Sequence, residues 1–155
     1  MKVDFEQINS DIRKGAYKYI GLGSGRYVFD LGNGYVAKVA KNRKGLAQNK
    51  AEYEIGSVDR SNIFAKILQV SDDFEILIME KAEKIDNISE VWKYFNVTGS
   101  RELFRRKEFT DISYKYRLIL QDLRRPANWG KINGRPVIID YGFTVGVKRK
   151  YYSIF

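Results

Sequence analysis

The first forty residues constrain the fold most, because glycine turns cut them into short strand-like runs. Residues 26–31 and 35–41 are rich in aromatic and β-branched side chains, and Gly32-Asn33-Gly34 lies between them. Asn-Gly between two such runs is a strong hairpin signal, since the turn needs backbone conformations that these two residues tolerate. A second glycine-rich turn, Gly21-Leu22-Gly23-Ser24-Gly25, separates residues 26–31 from a candidate strand at 17–20. Ahead of these, Phe5, Ile8 and Ile12 recur at helical spacing and predict a short amphipathic helix over 5–14.

A helix is expected over 44–57, with Leu46, Tyr53 and either Ile55 or Gly56 facing inward. Residues 63–70 and 74–80 read as two further strands, joined by turn chemistry at Ser71-Asp72-Asp73. The sum is a five-stranded antiparallel sheet with one helix inserted after the third strand. The chain then changes character. Residues 87–97 and 101–120 read as helices, the longer carrying a stripe of Leu103, Phe104, Phe109, Ile112, Tyr116, Ile119 and Leu120. Residues 122–130 read as a loop, Asn133-Gly134 as a second hairpin turn, and 135–139 as a buried strand ending at Asp140-Tyr141-Gly142. The expectation is an α+β chain in two parts, a sheet-bearing 1–82 and a mostly helical 83–155.

Composition narrows the chemistry. The 155 residues contain neither Cys nor His. Disulfide scaffolds, thiol nucleophiles and thiolate zinc sites are therefore excluded, and the commonest general base is absent. Any catalysis must run on carboxylates, Lys, Arg, Tyr, Ser, Thr or a metal held by oxygen. The net charge of +9 is unevenly spread: +6 over 1–50, −5 over 51–100 and +8 over 101–155. Basic surface attracts phosphate-rich ligands, and nucleic acid is one such ligand. Residues 1–10 hold Asp4 and Glu6 and no apolar stretch of the signal-peptide kind, so no membrane association and a cytoplasmic location are expected.

Five short motifs lie on the expected elements. They are Gly21-Leu22-Gly23-Ser24-Gly25-Arg26-Tyr27-Val28, Val36-Ala37-Lys38, the helix segment around Glu52 and Glu54, Asp122-Leu123-Arg124-Arg125-Pro126-Ala127-Asn128, and Val137-Ile138-Ile139-Asp140-Tyr141-Gly142. In this order they resemble the eukaryotic-like protein kinase fold, in a strongly shortened form of bacterial or phage type. The first is similar to the phosphate-covering loop G-x-G-x-x-G-x-V, with Gly21, Gly23 and Val28 in register, Gly25 one residue early and Arg26 in the sixth place. The second is similar to the V-A-x-K strand; alternation puts Val36, Lys38 and Ala40 on one face and favours Lys38 over Lys41. Its implied partner is Glu52, with Glu54 the alternative.

The fourth motif is similar to the catalytic loop H-R-D-L-x-x-x-N, with Leu120-Gln121 in place of His-Arg and one extra residue between Asp122 and Asn128. The fifth is similar to the D-F-G segment. Met79, ahead of a hinge, looks like the apolar residue beside adenine.

The resemblance implies ATP and Mg²⁺ as cofactors. Gly21, Gly23, Gly25, Val28, Lys38 and Met79 would bind nucleotide, Asn128 and Asp140 would hold metal, and Asp122 would accept the proton of the attacking hydroxyl. Lys38 and Glu52 would assist, and Arg124 sits where kinases often carry a phosphate-facing lysine. The implied function is transfer of the γ-phosphate to a hydroxyl of a protein substrate or of the chain itself. Residues 143–155 are too few for the family's peptide-holding platform. The alternatives are an impaired pseudokinase acting as an interaction protein or inhibitor, and a basic nucleic-acid-binding module.

Overall fold

A computed structural model describes residues 2–22 and 25–151, with the backbone alone described at Leu22. Gly23 and Ser24 of the glycine-rich turn lie outside the described residues. The chain forms two compact units, one of residues 1–57 and 66–81, the other of 58–65 and 82–155. Among the described residues no helix is long and apolar enough to cross a membrane.

The first unit opens with α1 (Phe5–Arg13), whose first turn is closed by Asp4, the side chain accepting from the Gln7 N–H at 3.0 Å. Strands β1 (Lys18–Leu22), β2 (Arg26–Asp30) and β3 (Tyr35–Ala40) follow as an antiparallel meander. Helix α2 (Arg43–Gly56) comes next, then β4 (Ile67–Val70) and β5 (Ile76–Glu80). The sheet order is β1-β2-β3-β5-β4, antiparallel throughout. This is the expected five-stranded sheet with its inserted helix.

Alternation gives the sheet two different faces. Ala37, Ile76 and Ile78 form an apolar cluster against Phe5 and Ile8 of α1, which explains the helical spacing of those two residues. Val36 and Lys38 project from the other face, opposite Met79 and Leu77 of β5. The inward side of α2 departs from expectation. Gly45, Gln48, Asn49, Glu52 and Ile55 are buried, whereas Tyr53 is exposed and meets Phe74 edge-on. The helix buries mostly polar groups because its neighbours on the sheet are charged, a preference no apolar pattern could reveal.

The second unit is built around β6 (Glu83–Lys84), β7 (Trp129–Ile132) and β8 (Arg135–Ile138), a three-stranded antiparallel sheet in that order. Residues 58–65 belong to this unit: the Ala65 N–H donates to the Ile138 carbonyl at 2.9 Å, and the Ile138 N–H to the Ile63 carbonyl at 2.7 Å. The expected strand over 63–70 is thus divided, only Ile67–Val70 joining the larger sheet.

The helices are α3 (Ser89–Tyr94), α4 (Ser100–Arg105), α5 (Lys107–Tyr116) and α6 (Val145–Tyr151). The single helix expected over 101–120 is broken at Arg106, whose extended backbone (φ −65°, ψ 143°) separates α4 from α5. The stripe explains the break. Leu103 and Phe109 are both fully buried, yet six residues apart they would face different sides of a continuous helix. The Arg106 guanidinium donates to the Phe95 carbonyl at 3.1 Å and holds the corner. Helix α5 then ends at Arg117 in the left-handed conformation (φ 56°), so Ile119 and Leu120 leave the helix. Trp129 and Gly130, expected in a loop, pair with β8.

Candidate active site

In the first unit the distinguishing feature is an ionic network on the Lys38 face. Glu52, one helical turn after Asn49, is fully buried. Its Oε1 accepts from Lys38 Nζ at 2.9 Å and from Arg26 Nη1 at 2.8 Å, while its Oε2 accepts from Arg26 Nη2 at 2.7 Å. Lys38 and Arg26 are each 5% exposed. Burial pushes the Glu52 carboxyl up, but the charges of Arg26 and Lys38 outweigh that and lower its pKa from 4.5 to about 2. The carboxylate therefore stays ionised across the physiological range.

Asn49 extends the network: its Oδ1 accepts from Arg26 Nη1 at 3.1 Å, and its Nδ2 donates to the Lys38 and Phe74 carbonyls at 3.2 and 2.8 Å. Of the two glutamates, Glu52 meets Lys38 and Glu54 is exposed. Lys41 lies instead over the Tyr27 ring, 4.7 Å from its centroid.

The glycine-rich turn is anchored at its far end. A Cβ on Gly25 would fall 2.5 Å from Gln48 Oε1, and one on Gly45 would fall 2.0 Å from the Gly25 carbonyl. The start of α2 and the end of the turn touch through backbone, which only glycine at both positions permits. Gly21 lies across from Val28, which is itself paired with Lys38. Gly23 is outside the described residues. Met79 is 1% exposed, packed within the sheet opposite Val36 and Ile67.

In the second unit the loop after α5 is ordered by two short 3-10 helices, Leu120–Arg124 and Pro126–Asn128. Asn128 Nδ2 donates to the Asp122 carbonyl at 2.7 Å, and the Trp129 indole N–H donates to the Leu123 carbonyl at 2.9 Å. These bonds draw the segment from Asp122 to Asn128 into a tight coil. The Ile139 N–H donates to the Asn128 carbonyl at 2.9 Å, which sets Asn128 beside the residue preceding Asp140.

Burial raises the Asp122 carboxyl above its ordinary value; Arg125 opposes this, Asp140 reinforces it and Lys148 opposes it. The charge of Asp140 thus reaches Asp122. Tyr141 between Asp140 and Gly142 is buried, its hydroxyl donating to the Ala65 carbonyl at 2.8 Å and its ring 4.6 Å from Phe64. Arg124 is exposed, its guanidinium over the Phe104 ring at 5.8 Å. Among the described residues no three acidic side chains cluster as a metal cage. Asn128 and Asp140, the pair expected to hold metal, are oxygen donors, the type that Mg²⁺ takes beside waters and phosphate oxygens.

Sequence reasoning missed Arg26, Asn49 and Gln48. The first was within reach. With the Gly32-Asn33-Gly34 turn fixing the hairpin register, Arg26 pairs with Ala40 and Val28 with Lys38, so Arg26 and Lys38 are diagonal neighbours on one face.

No protein-family model matches the sequence, and no curated protein matches it. A solved structure does: the complex of gentamicin with the aminoglycoside phosphotransferase APH(2")-IIa, at 18% identity and a TM-score of 0.50, covering 92% of this chain and 71% of that one. This chain has a protein-kinase-like fold. Also similar is the PknI kinase domain of Mycobacterium tuberculosis, at 16% identity and a TM-score of 0.44, covering 81% of this chain and 59% of that one. Within the protein-kinase-like sheet, Lys38 stands on the third strand and Glu52 on the inserted helix.

Proposed function

We propose that this chain is an Mg-ATP-dependent phosphotransferase, transferring the γ-phosphate to a hydroxyl of a protein substrate or of the chain itself. One observation carries the reading: a lysine and a glutamate, both buried, joined at 2.9 Å between the third strand and the inserted helix of a kinase-like sheet. Burying an ion pair is costly, and hydrophobic replacement is often neutral or better for stability. A buried pair retained on this strand and helix therefore favours use of the lysine on phosphate.

The roles follow from the side chains. Lys38, oriented by Glu52, holds phosphate oxygens, and the backbone N–H groups of the glycine-rich turn cover them. Asp140 and the Asn128 amide oxygen would hold the metal; when bound, Mg²⁺ would supply neutralisation of the phosphate charge. Asp122, with its proton affinity raised by burial, takes the proton from the attacking hydroxyl. The hydroxyl oxygen bonds to the γ-phosphorus while the bond to the β-phosphate oxygen breaks, leaving ADP. A cytoplasmic setting, where ATP is supplied, fits this chemistry.

The experiment is a thermal scan with and without Mg-ATP, followed by incubation with γ-labelled ATP. At about 100 times its dissociation constant a ligand adds about 2.7 kcal/mol, a rise of roughly 5–10 °C for a chain of this size. Labelled protein should then appear. A shift without transfer would leave a nucleotide-binding pseudokinase, and no shift at all would defeat the reading.

A further inference from the structure

Arg26 belongs to none of the roles above, yet it supplies two of the three ionic bonds described at the Glu52 carboxylate. It occupies β2 where the glycine-rich turn ends, opposite Ala40 and diagonal to Lys38. Both arms of its guanidinium engage Glu52, at 2.8 and 2.7 Å, and Nη1 also reaches Asn49 at 3.1 Å. Lys38 shares one Glu52 oxygen with it. Asn49 passes the connection to the carbonyls of Lys38, Phe74 and Glu75. A single turn of α2 is thereby fastened to β2, to β3 and to the approach to β5. The backbone contact of Gly25 with Gly45 lies directly beside this knot.

We infer that Arg26 is a positioning residue that clamps α2 to the sheet before any ligand arrives, so that Lys38 is held in its working orientation without a movement of the helix. The inference rests on the phosphotransferase reading for what Lys38 does, but the clamp itself is a property of the protein alone. The planar fork is the reason an arginine serves here. It fixes a carboxylate in both position and rotation, whereas an ammonium fixes position only. Lys38 Nζ meets Glu52 at Oε1 alone, whereas the fork meets both carboxylate oxygens. With the fork in place, undocking α2 requires drawing a fully buried carboxylate away from two cations at once.

The test is amide hydrogen exchange on the full chain, with and without Mg-ATP, for the wild type, Arg26→Ala and Arg26→Lys. In the wild type the amides of residues 47–56 should gain no more protection from Mg-ATP than those of α5, whose gain reports stabilisation of the whole fold. In Arg26→Ala their protection should fall about a hundredfold without ligand, while amides of α5 keep theirs, and Mg-ATP should restore most of the loss. Arg26→Lys should fall between, because charge is kept and the fork is lost; it also carries the test if Arg26→Ala does not fold.

Nucleotide affinity should weaken in proportion to the undocked fraction. Unchanged α2 protection in both variants would overturn the inference, as would a wild-type gain of α2 protection on adding Mg-ATP that exceeds the gain in α5 tenfold. A wild type that shows the expected ligand-free pattern but binds no nucleotide would uphold the clamp and defeat the phosphotransferase reading.

Discussion

Replacing Glu52 by Gln keeps the shape of the side chain and deletes the charge that Arg26 and Lys38 share. The cost can be worked from the carboxyl itself. Its pKa falls from 4.5 to about 2 in the folded chain, which corresponds to about 3 kcal/mol of stability at neutral pH. Removing one partner of a buried pair costs about 3–5 kcal/mol by the general experience of such deletions, so the two routes agree.

The sign is set by the direction. A folded pKa below the unfolded one stabilises above about pH 4.5, and the contribution fades as pH drops toward about 2. Glu52→Gln should therefore unfold about 6–12 °C lower than the wild type at pH 7, and the gap should be mostly closed by pH 2, where Glu52 is about half protonated in the folded chain. The assay is thermal unfolding followed by circular dichroism at several pH values. Fluorescence is unsuitable because both tryptophans, Trp92 and Trp129, lie in the second unit. A gap under about 1 kcal/mol at pH 7, or one that persists undiminished at pH 2, would refute the reasoning.

Asp140→Ala and Lys38→Ala should each abolish phosphate transfer while leaving the circular dichroism spectrum intact, and Asp122→Asn should lower turnover far more than nucleotide affinity; equal loss of both would contradict a role as proton acceptor. Gly45→Ala should cost about 1–3 kcal/mol, because its Cβ would land 2.0 Å from the Gly25 carbonyl. Gly146→Ala, exposed on α6 with its nearest neighbour at 3.8 Å, should instead be neutral or stabilise by up to about 1 kcal/mol. Burial, with help from a hydrogen bond to Asp59, raises the Tyr116 hydroxyl to about 12. Ultraviolet titration should show a tyrosine ionising late, and Tyr116→Phe should remove that step.

Much of the first unit was legible because its cues are local. Glycine and Asn-Gly turns set the hairpins, and strand alternation placed Lys38 on the face that Glu52 reaches. The face of α2 was not legible. Leu46 and Tyr53 carry the apolar signal, but the helix turns Asn49 and Glu52 inward because tertiary partners on β2 and β3 satisfy them. The break at Arg106 was hidden for a similar reason: Leu103 and Phe109 both look like stripe residues, and only the packing of Phe109 against Phe95 and Trp129 shows that they cannot share one helix. In the loop, the tight coil from Asp122 to Asn128 was not legible, because it depends on side-chain bonds from Asn128 and Trp129 back to the Asp122 and Leu123 carbonyls.

The passage of residues 58–65 into the second unit has a consequence for how this chain can be divided. Ile63, Phe64 and Ala65 are buried there, with Phe64 bridged to Ile138 in parallel fashion, although residues on both sides of the segment belong to the first unit. No single cut releases either half whole: a fragment ending near residue 82 would carry an orphaned greasy segment, and its complement would lack the buried Ile63, Phe64 and Ala65 of its own interior. The halves are braided, not concatenated, so neither could be exchanged as a ready-made cassette for the corresponding part of another protein.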